Sequence, residues 1–459
     1  MVERITSIND WINGIVWGPP FMILLAGTGL YLTIRLGFFQ FTHLRYAWRK
    51  SFGRVFRFGK KQPEEEEEGA ITSFQAVSSA MAATIGVGNI AGVATAIALG
   101  GPGAIFWMWV IALVGMATKM AEATLGLKYR EVGPDGRISG GVFYYIEKGL
   151  GPRWRWLALL YALFAGIAAF GIGNMVQSNT VAHALETGFN VPTWLTGVVA
   201  VVMVGAVTLG GITRIAATAE KVVPLMALIY IAGSVVILAL HVDAIPNAFS
   251  MIFTYAFSPA PAMGGFAGAG VAAAIQYGIA RGIFSNEAGL GSASIVHAQA
   301  QNKPFAQGFW GIWEVFIDTL IVCTMTALVI LTTGVIETGS TGAELTAGAF
   351  STGLPGPGGY VVLISIVFFA YTTMLTWNFY GEKSWEYLFG PRIIKPYRFL
   401  FLGFVMVGAV GGLELIWAVA DTFNGLMAAP NLIALVLLAG VMAREKTAYF
   451  SDLKARGKM

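Results

Sequence analysis

Two segments inside apolar stretches carry groups that could bind an amino acid or a small cation. The first runs from Thr84 to Asn89 and reads Thr-Ile-Gly-Val-Gly-Asn, with two glycines between polar residues. Glycine lowers helix stability by about 1 kcal/mol relative to alanine, and its missing Cβ lets a ligand approach the backbone. Carbonyls freed by a break could bind a cation or an ammonium group, and freed amides could bind a carboxylate. Close helix packing through the small residues is the alternative interpretation.

The second segment has the same mixture of glycine and polar residues. It begins at Gln276, contains Gly278 and Gly282, and continues to Ser285, Asn286 and Glu287. We expect it to interrupt a membrane helix near Gly278 and to face the first break across a binding site.

Two further stretches carry polar groups of a suitable kind. Phe170, Asn174 and Gln177 are spaced i, i+4 and i+7, which places them on one face of a helix. This face could contact a substrate, or its amides could hydrogen-bond across helices. Thr372 and Thr373 offer hydroxyl oxygens, which are hard ligands for a small cation, although a helical threonine often bonds to the preceding turn instead.

The ionisable residues inside apolar stretches include Glu122, Glu314, Asp318 and Asp421, and charge is expensive there and therefore suggests function. For Glu122 and Asp421, pairing with a nearby basic or amide group and a role in an ion pathway are both open. Glu314 and Asp318 are spaced i, i+4, so we expect them to share a helix face and to repel each other if both are charged.

Composition identifies the class of protein that presents these groups. Of the 459 residues, 56% are hydrophobic and 12% are charged, whereas a soluble domain has about twice that charged fraction. The mean hydropathy of +0.68 agrees with an integral membrane protein. The basic residues lie in loops between apolar runs, so the net charge of +4 does not indicate a nucleic-acid partner. Residues 1–14 predict a short interfacial helix and not a signal peptide.

Eleven stretches are long and apolar enough to cross about 30 Å of hydrocarbon as helices. They cover approximately residues 17–36, 71–99, 102–127, 156–184, 191–211, 219–240, 264–285, 308–336, 358–381, 398–413 and 415–442.

The lysines and arginines predict the orientation of these spans. If the N-terminus is outside and the C-terminus is in the cytoplasm, every lysine and arginine except Arg4 lies in the cytoplasm or at the cytoplasmic end of a span. These basic residues fall in segments 35–61, 119–155, 214–221, 281–303, 383–398 and 444–458. The acidic run Glu64 to Glu68 then lies in the first cytoplasmic loop as a solvated segment.

Spans two to six and seven to eleven make two groups of five, and each group begins with an expected interruption. An odd number of spans inverts the second group, as in inverted-repeat transporters. We therefore expect three regions: residues 1–69 with the interfacial segment, the first peripheral span and a loop; residues 70–240 with the first repeat; and residues 241–459 with the second repeat and a cytoplasmic tail.

Several segments resemble the alanine or glycine:cation symporter family. The run from Gly100 to Trp109, Gly-Gly-Pro-Gly-Ala-Ile-Phe-Trp-Met-Trp, looks like that family's signature. The segments 170–177, 281–293 and 421–431 are also similar to it, and the resemblance extends from Trp17 to about Arg444.

The family is similar to the wider leucine-transporter-type fold, in which two inverted five-helix repeats surround a Gly-x-Gly-Asn break. The resemblance implies that the amino and carboxylate groups of a substrate meet the backbone around Thr84, Ile85, Gly86 and Gly88. From their types and positions we expect the other residues of the substrate pocket to be Phe170, Asn174, Gln177, Gln276, Gly278 and Trp377. The resemblance also implies a sodium site formed by the carbonyls of Ala82, Ile85 and Phe369 and the hydroxyls of Thr372 and Thr373. If the register of the ninth span shifts by one residue, Ala370 takes the place of Phe369. A second sodium site at Asn89 would need a hydroxyl from the seventh span, and none lies near Gly278.

The predicted function is sodium-coupled uptake of small neutral amino acids such as alanine and glycine across the plasma membrane, with no cofactor besides the coupling ion. A proton-coupled carrier of the same substrates is the nearest alternative. A membrane enzyme is disfavoured because the four histidines are scattered and no His-Glu-x-x-His pattern occurs. A channel is disfavoured because channels usually form a pore by symmetric association around a short motif.

Overall fold

The computed structural model describes residues 2–55, 69–133, 136–412 and 414–457. The acidic run Glu64 to Glu68 lies outside the described residues. Within them the fold is almost entirely helical, with one antiparallel hairpin formed by β1 (Glu131–Val132) and β2 (Ile138–Ser139).

The α-helices follow one another with short connections. The first eight are α1 (Val2–Val16), α2 (Pro19–Arg35), α3 (Phe39–Thr42), α4 (Leu44–Lys50), α5 (Phe52–Val55), α6 (Ser73–Thr84), α7 (Val93–Gly100) and α8 (Ala104–Lys128). The next eight are α9 (Val142–Leu150), α10 (Arg155–Phe170), α11 (Val176–Phe189), α12 (Thr193–Thr208), α13 (Ile212–Leu240), α14 (Ile245–Tyr255), α15 (Val271–Asn286) and α16 (Ala293–His297). The last seven are α17 (Pro304–Val315), α18 (Thr324–Thr333), α19 (Gly342–Gly353), α20 (Gly358–Phe389), α21 (Ile394–Val410), α22 (Glu414–Leu426) and α23 (Ala428–Ala455).

Wider and tighter helical turns connect some of these helices. The π-helical turns are Gly88–Gly92, Gly171–Met175 and Phe316–Cys323. The 3₁₀ turns are Pro152–Trp154, Val242–Ala244, Val335–Thr338 and Pro391–Ile393.

Eight helical stretches of the described chain are long and apolar enough to cross a membrane. They are Thr6–Arg35, Ala104–Lys128, Pro152–Phe189, Ile212–Leu240, Pro304–Thr333, Gly358–Phe389, Pro391–Val410 and Ala418–Ala455. The bent pair α6 and α7 would make a ninth. The fifth and seventh predicted spans correspond to α12 and α15, which have 16 residues each. The count of eleven spans and the repeat therefore stay predictions.

The interruption predicted in the second span is present. Helix α6 begins with a capping box between Thr72 and Gln75 and ends at Thr84. The chain then passes through the π-helical turn Gly88–Gly92 into α7, with a bend of 49° between the two helices. The glycine-rich motif thus breaks the helix, as its weak helix propensity predicts.

The interruption predicted near Gly278 is wrong in position. Helix α15 runs unbroken through Gln276 and Gly278 and ends at Asn286. Gly278 serves close packing, since a Cβ there would lie 2.3 Å from the carbonyl oxygen of Ala104 in α8. The break instead follows Asn286, where Gly289 and Gly291 have φ values of 98° and 80° that favour glycine.

Most of the predicted cytoplasmic segments meet at one end of the bundle. Lys128 pairs with Glu445 at 2.6 Å, and Lys303 pairs with Asp452 at 2.9 Å. Two basic residues of the predicted cytoplasmic segments do not lie with the others. Lys119 is fully buried in α8, and Arg281 lies in the wall of a cavity.

Candidate substrate and cation site

A cavity of about 750 Å³ lies beside the first break. Its wall combines apolar side chains with a small set of amide and charged groups, which is the usual character of a small-molecule site. The lining residues are Val87, Ala91, Gly92, Thr95, Ile172, Val176, Gln177, Asn179, His183, Arg281, Phe284, Gly411, Gly412, Ala418 and Asp421.

The backbone groups freed at the first break are bound by side chains. The side-chain oxygen of Asn89 accepts a hydrogen bond from the amide of Gly86 at 2.8 Å. The Thr326 hydroxyl donates to the carbonyl of Asn89 at 2.8 Å, and the Thr346 hydroxyl donates to that of Ile90 at 3.0 Å. This compensation makes the broken helix tolerable inside a membrane protein.

The hydroxyl of Thr373 lies against the end of α6. It donates to the carbonyl oxygens of Ala82 at 3.1 Å and Phe369 at 2.8 Å. A Cβ on Gly86 would lie 2.9 Å from this hydroxyl, so the glycine permits the approach. Ile85 is buried at the end of α6. Three predicted sodium-site oxygens, those of Ala82, Phe369 and Thr373, therefore lie together.

Thr372 has different neighbours. Its hydroxyl donates to the carbonyls of Phe368 at 3.0 Å and Phe369 at 3.1 Å, and lies 3.4 Å from the sulfur of Met226 in α13. The two adjacent threonines thus face different helices, which is the consequence of a turn of about 100° per residue.

A second polar cluster surrounds Asp318 in the π-helical turn Phe316–Cys323. Asn89 donates to one carboxylate oxygen at 2.7 Å, while Ser285 and Thr319 donate to the other at 2.9 and 2.8 Å. Cys323 completes the cluster, with its sulfur 3.2 Å from the Ser285 hydroxyl. Among the described residues no basic side chain forms an ion pair with Asp318, so this buried carboxylate is held by neutral donors alone.

Helix α15 therefore brings a hydroxyl, that of Ser285, to the same carboxylate that Asn89 binds. Sequence reasoning missed it because the search was centred on Gly278, whereas Ser285 lies seven positions later. Glu314 and Asp318, which were expected to share a helix face, have separate partners: Glu314 pairs with Lys119 at 3.0 Å, and Asp318 accepts a hydrogen bond from Asn89.

Charged residues of α8 bind the backbone of the second break. The ammonium group of Lys119 donates to the carbonyl of Asn286 at 3.0 Å, where α15 ends. One oxygen of Glu122 accepts from the amides of Gly289 and Gly291 at 2.9 and 3.1 Å, and from Asn431 at 2.7 Å. A cation at freed carbonyls and an anion at freed amides match the polarity of a helix end. Of the two interpretations of Glu122, structural pairing fits these contacts.

The predicted face of Phe170, Asn174 and Gln177 is divided by the π-helical turn Gly171–Met175. Phe170 packs on Phe404, with ring centroids 4.8 Å apart, and Asn174 donates to the carbonyl of Phe401 at 2.7 Å, so both face α21. Gln177 alone of the three lines the cavity. Its amide nitrogen donates to the carbonyl of Ile172, and its buried side-chain oxygen has no hydrogen-bond partner among the described residues.

The other residues that were predicted to bind the substrate do not line the cavity. Gln276 is exposed and Gly278 packs on α8, so the structure brings neither to the cavity wall. The Thr84 hydroxyl bonds back to its own helix, and Gly88 packs beside the ring of Phe284. Trp377 is buried behind the wall, where a Cβ on Gly173 would lie 2.2 Å from its Cβ.

Two charged residues of the cavity wall were not predicted as a pair. Arg281 lies over the ring of Phe284 at 5.6 Å, and within the described part of the chain its buried Nε has no hydrogen-bond partner. Asp421 accepts a hydrogen bond from Asn13 of α1 at 3.4 Å. The sequence marked Asp421 by its position inside an apolar stretch, whereas Arg281 was predicted to lie at a cytoplasmic span end.

Comparisons with known proteins agree with this architecture. Residues 2–459 match the sodium:alanine symporter family. The chain is 47% identical to the sodium/alanine symporter AgcS of Methanococcus maripaludis, over 98% of this chain and 99% of that protein. It is also 47% identical to an uncharacterized transporter of Haemophilus influenzae, over 98% and 97% of the two chains.

Among solved structures, the crystal structure of MhsT in complex with L-phenylalanine is similar to this chain. The TM-score is 0.59 at 13% sequence identity, covering 81% of this chain and 90% of that one. At this identity the likeness shows the fold alone. It confirms the all-helical membrane fold of the leucine-transporter type.

Proposed function

The chain belongs to the sodium:alanine symporter family, and from this premise we propose that it couples sodium entry to uptake of alanine, glycine and similarly small neutral amino acids. The members named above are transporters, so the chain is a membrane transporter and not an enzyme. It works by alternating access in the plasma membrane, with the N-terminus outside and the C-terminus in the cytoplasm. The single observation that carries the proposal is the contact of Thr373 with the end of the broken helix α6, beside a cavity.

Sodium is the coupling ion because the groups gathered at this contact are neutral oxygens. Carbonyl and hydroxyl oxygens are hard ligands that suit a small hard cation. Ala82, Phe369 and Thr373 supply such oxygens from two helices, and Ile85 and Thr372 belong to the same predicted ligand set. A cation held between α6 and α20 would favour the arrangement in which these helices are close.

A second sodium ion binds at the Asp318 cluster. A buried carboxylate without a basic partner is costly, and a bound cation would offset that cost. Asn89 connects this cluster to the break, since it donates to Asp318 and accepts from the amide of Gly86. A cation here therefore stabilises the conformation of the break that receives the substrate.

The substrate lies between the first break and the cavity face of Gln177. Backbone groups near Thr84 to Gly88 bind the amino and carboxylate groups that all amino acids share. Trp377 limits the size of the side chain from behind Ile172 and Gly173, as the tight packing of Gly173 on this ring indicates. A pocket closed by a fixed aromatic ring rejects bulk, because overpacking costs about 1–3 kcal/mol or more.

Proton coupling is the second candidate, and the observation that favours it is the buried carboxylate of Asp318, whose donors Asn89, Ser285 and Thr319 are all neutral. A carboxyl group with only neutral donors could carry a proton in place of a sodium ion.

Uptake of labelled alanine into proteoliposomes tests the proposal. Sodium and proton gradients are imposed separately, at equal membrane potential. We expect accumulation with an inward sodium gradient and none with a proton gradient alone. Accumulation driven by protons without sodium would replace the proposal with the second candidate, and gradient-independent equilibration would contradict both.

A further inference from the structure

Glu287 has an unusual backbone conformation at the second break. Its φ is 55°, and of the described non-glycine residues only Phe38 and Asn190 share a positive φ. This region strains a side chain that has a Cβ, and strain of this kind is retained mainly where the surroundings require it. Glycine occupies such conformations nearby, at Gly289 and Gly291. The presence of a glutamate here therefore points to a use for its side chain.

Both carboxylate oxygens of Glu287 are used. The indole Nε1 of Trp377 donates to Oε1 at 3.1 Å, and the Ser292 hydroxyl donates to Oε2 at 2.5 Å. The side chain is buried, with 4% exposure. Glu287 thus connects the break after α15 to the middle of α20 across 90 residues of sequence.

On its other sides, Trp377 makes packing contacts with the described residues around it. Its ring meets Tyr380 edge-on at 5.5 Å, and Gly173 lies against its Cβ and ring atoms. In the described part of the chain, Glu287 is the hydrogen-bond acceptor of the indole. Since the indole N–H is the polar group of the Trp377 side chain, this hydrogen bond fixes the orientation of the ring about the side-chain torsions.

We propose that Glu287 is a positioning residue for substrate specificity: its carboxylate fixes the indole of Trp377 and so sets the largest side chain that the site admits. This inference rests on the proposed function, in which Trp377 limits the size of the substrate from behind the wall of the pocket. Without the bond the ring can rotate away from Ile172 and Gly173, and the pocket admits bulkier side chains.

A purely electrostatic role for Glu287 makes a different prediction. Lys119 binds the carbonyl of the preceding residue, Asn286, and pairs with Glu314 at 3.0 Å. If Glu287 served to balance this cation, removing its charge would matter and removing the indole N–H would not. If it bound the substrate ammonium group, all substrates would be affected alike.

The test compares full-length variants in proteoliposomes by competition of glycine, alanine, valine and leucine against labelled alanine. Glu287→Gln keeps an acceptor for the indole without the charge, Glu287→Ala removes the acceptor, and Trp377→Phe removes the donor. Trp385→Phe is the matched control, because its indole donates to the Gly166 carbonyl at 3.1 Å on the same helix α20 but away from Glu287.

We expect Glu287→Ala and Trp377→Phe to improve competition by leucine relative to alanine by about tenfold, the scale at which apolar pockets discriminate between side chains. Glu287→Gln and Trp385→Phe should keep the ranking of the wild type. The double variant Glu287→Ala/Trp377→Phe should relax the ranking no further than either single variant, because the two changes remove one bond.

Three outcomes overturn the inference. They are a Glu287→Gln variant that behaves as Glu287→Ala, an equal loss of affinity for every substrate, and additive effects in the double variant. Failure of the proposed function has a separate signature, since the wild type would then show no sodium-driven uptake or no size ranking. If Trp377→Ala relaxes the ranking while Glu287→Ala does not, the function stands and this inference alone is wrong.

Discussion

The hydroxyl of Thr373 and the carbonyl oxygen of Ala82 are 3.1 Å apart, and this contact joins α20 to the last turn of α6 before the break. Ala82 and Thr373 are 291 residues apart in the sequence. One turn farther along α20, the Thr376 hydroxyl makes an equivalent contact with the Ser79 carbonyl at 2.9 Å. The two contacts hold the same pair of helices, but only the first lies at the break.

This difference separates a sodium ligand from a structural contact. Thr373→Val keeps the shape of the side chain and removes the hydroxyl. We expect the sodium concentration for half-maximal uptake to rise by about tenfold or more, the range seen when metal sites lose a supporting group. Thr376→Val is the control that removes the same type of contact, and its sodium activation curve should not shift. Equal curves for both variants would exclude Thr373 as a ligand.

The carboxylate of Asp318 should set the number of sodium ions bound. Asp318→Asn preserves the size of the group and removes its charge, which leaves the second cation without its counter-charge. If two sodium ions bind, the Hill coefficient of sodium activation should fall from above one to one. Thr319→Val, which removes a neutral donor to the same carboxylate, should leave the coefficient above one. A coefficient of one in the wild type would rule out the second ion.

The first break could be predicted from the sequence, and the position of the second could not. Both segments place glycines among polar residues, so composition does not distinguish a glycine that breaks a helix from one that packs it. Gly278 belongs to the second kind because Ala104 of α8 lies against it. That neighbour is distant in sequence, and so are the Trp377 partner of Glu287 and the Asn89 partner of Asp318.

The prediction that Phe170, Asn174 and Gln177 share one helix face is wrong for a local reason. Spacing of i, i+4 and i+7 marks one face only in a regular α-helix, and the π-helical turn Gly171–Met175 changes the rotation between the first residue and the last. The apolar stretches themselves were predictable, because crossing a membrane imposes length and hydropathy on each helix separately.

The buried pair of Lys119 and Glu314 should be needed for stability. Both side chains are fully buried, and Glu314 also lies 3.2 Å from His297. Lys119→Met leaves an uncompensated carboxylate, and breaking such a pair costs about 3–5 kcal/mol. We expect a lower unfolding temperature in detergent and partial recovery in Lys119→Met/Glu314→Gln. A single variant as stable as the wild type would show that the pair contributes nothing.

The orientation in the membrane can be tested with engineered cysteines. Ser7 and Lys454 are both exposed, one in α1 and one near the end of α23, and the only native cysteine, Cys323, is buried. With the N-terminus outside, an impermeant thiol reagent should label Ser7→Cys in intact cells, and label Lys454→Cys only after lysis. The unmodified chain is the background control. Labelling of position 454 in intact cells would contradict the orientation.

Gln177 and Trp377 should control different properties of the substrate. Gln177 presents at the cavity wall a buried oxygen that no described residue binds, so it is suited to the ammonium group that every amino acid carries. Gln177→Ala should therefore raise the KM for alanine and for glycine by the same factor, about tenfold for one hydrogen bond to a charged group.

Trp377→Ala should leave glycine nearly unchanged and allow leucine to compete, because it removes the wall behind Gly173. Asn174→Ala, on the neighbouring turn but bonded to Phe401, is the control for general damage to this helix. If Gln177→Ala changes the ranking by size while Trp377→Ala weakens all substrates equally, the two roles are exchanged.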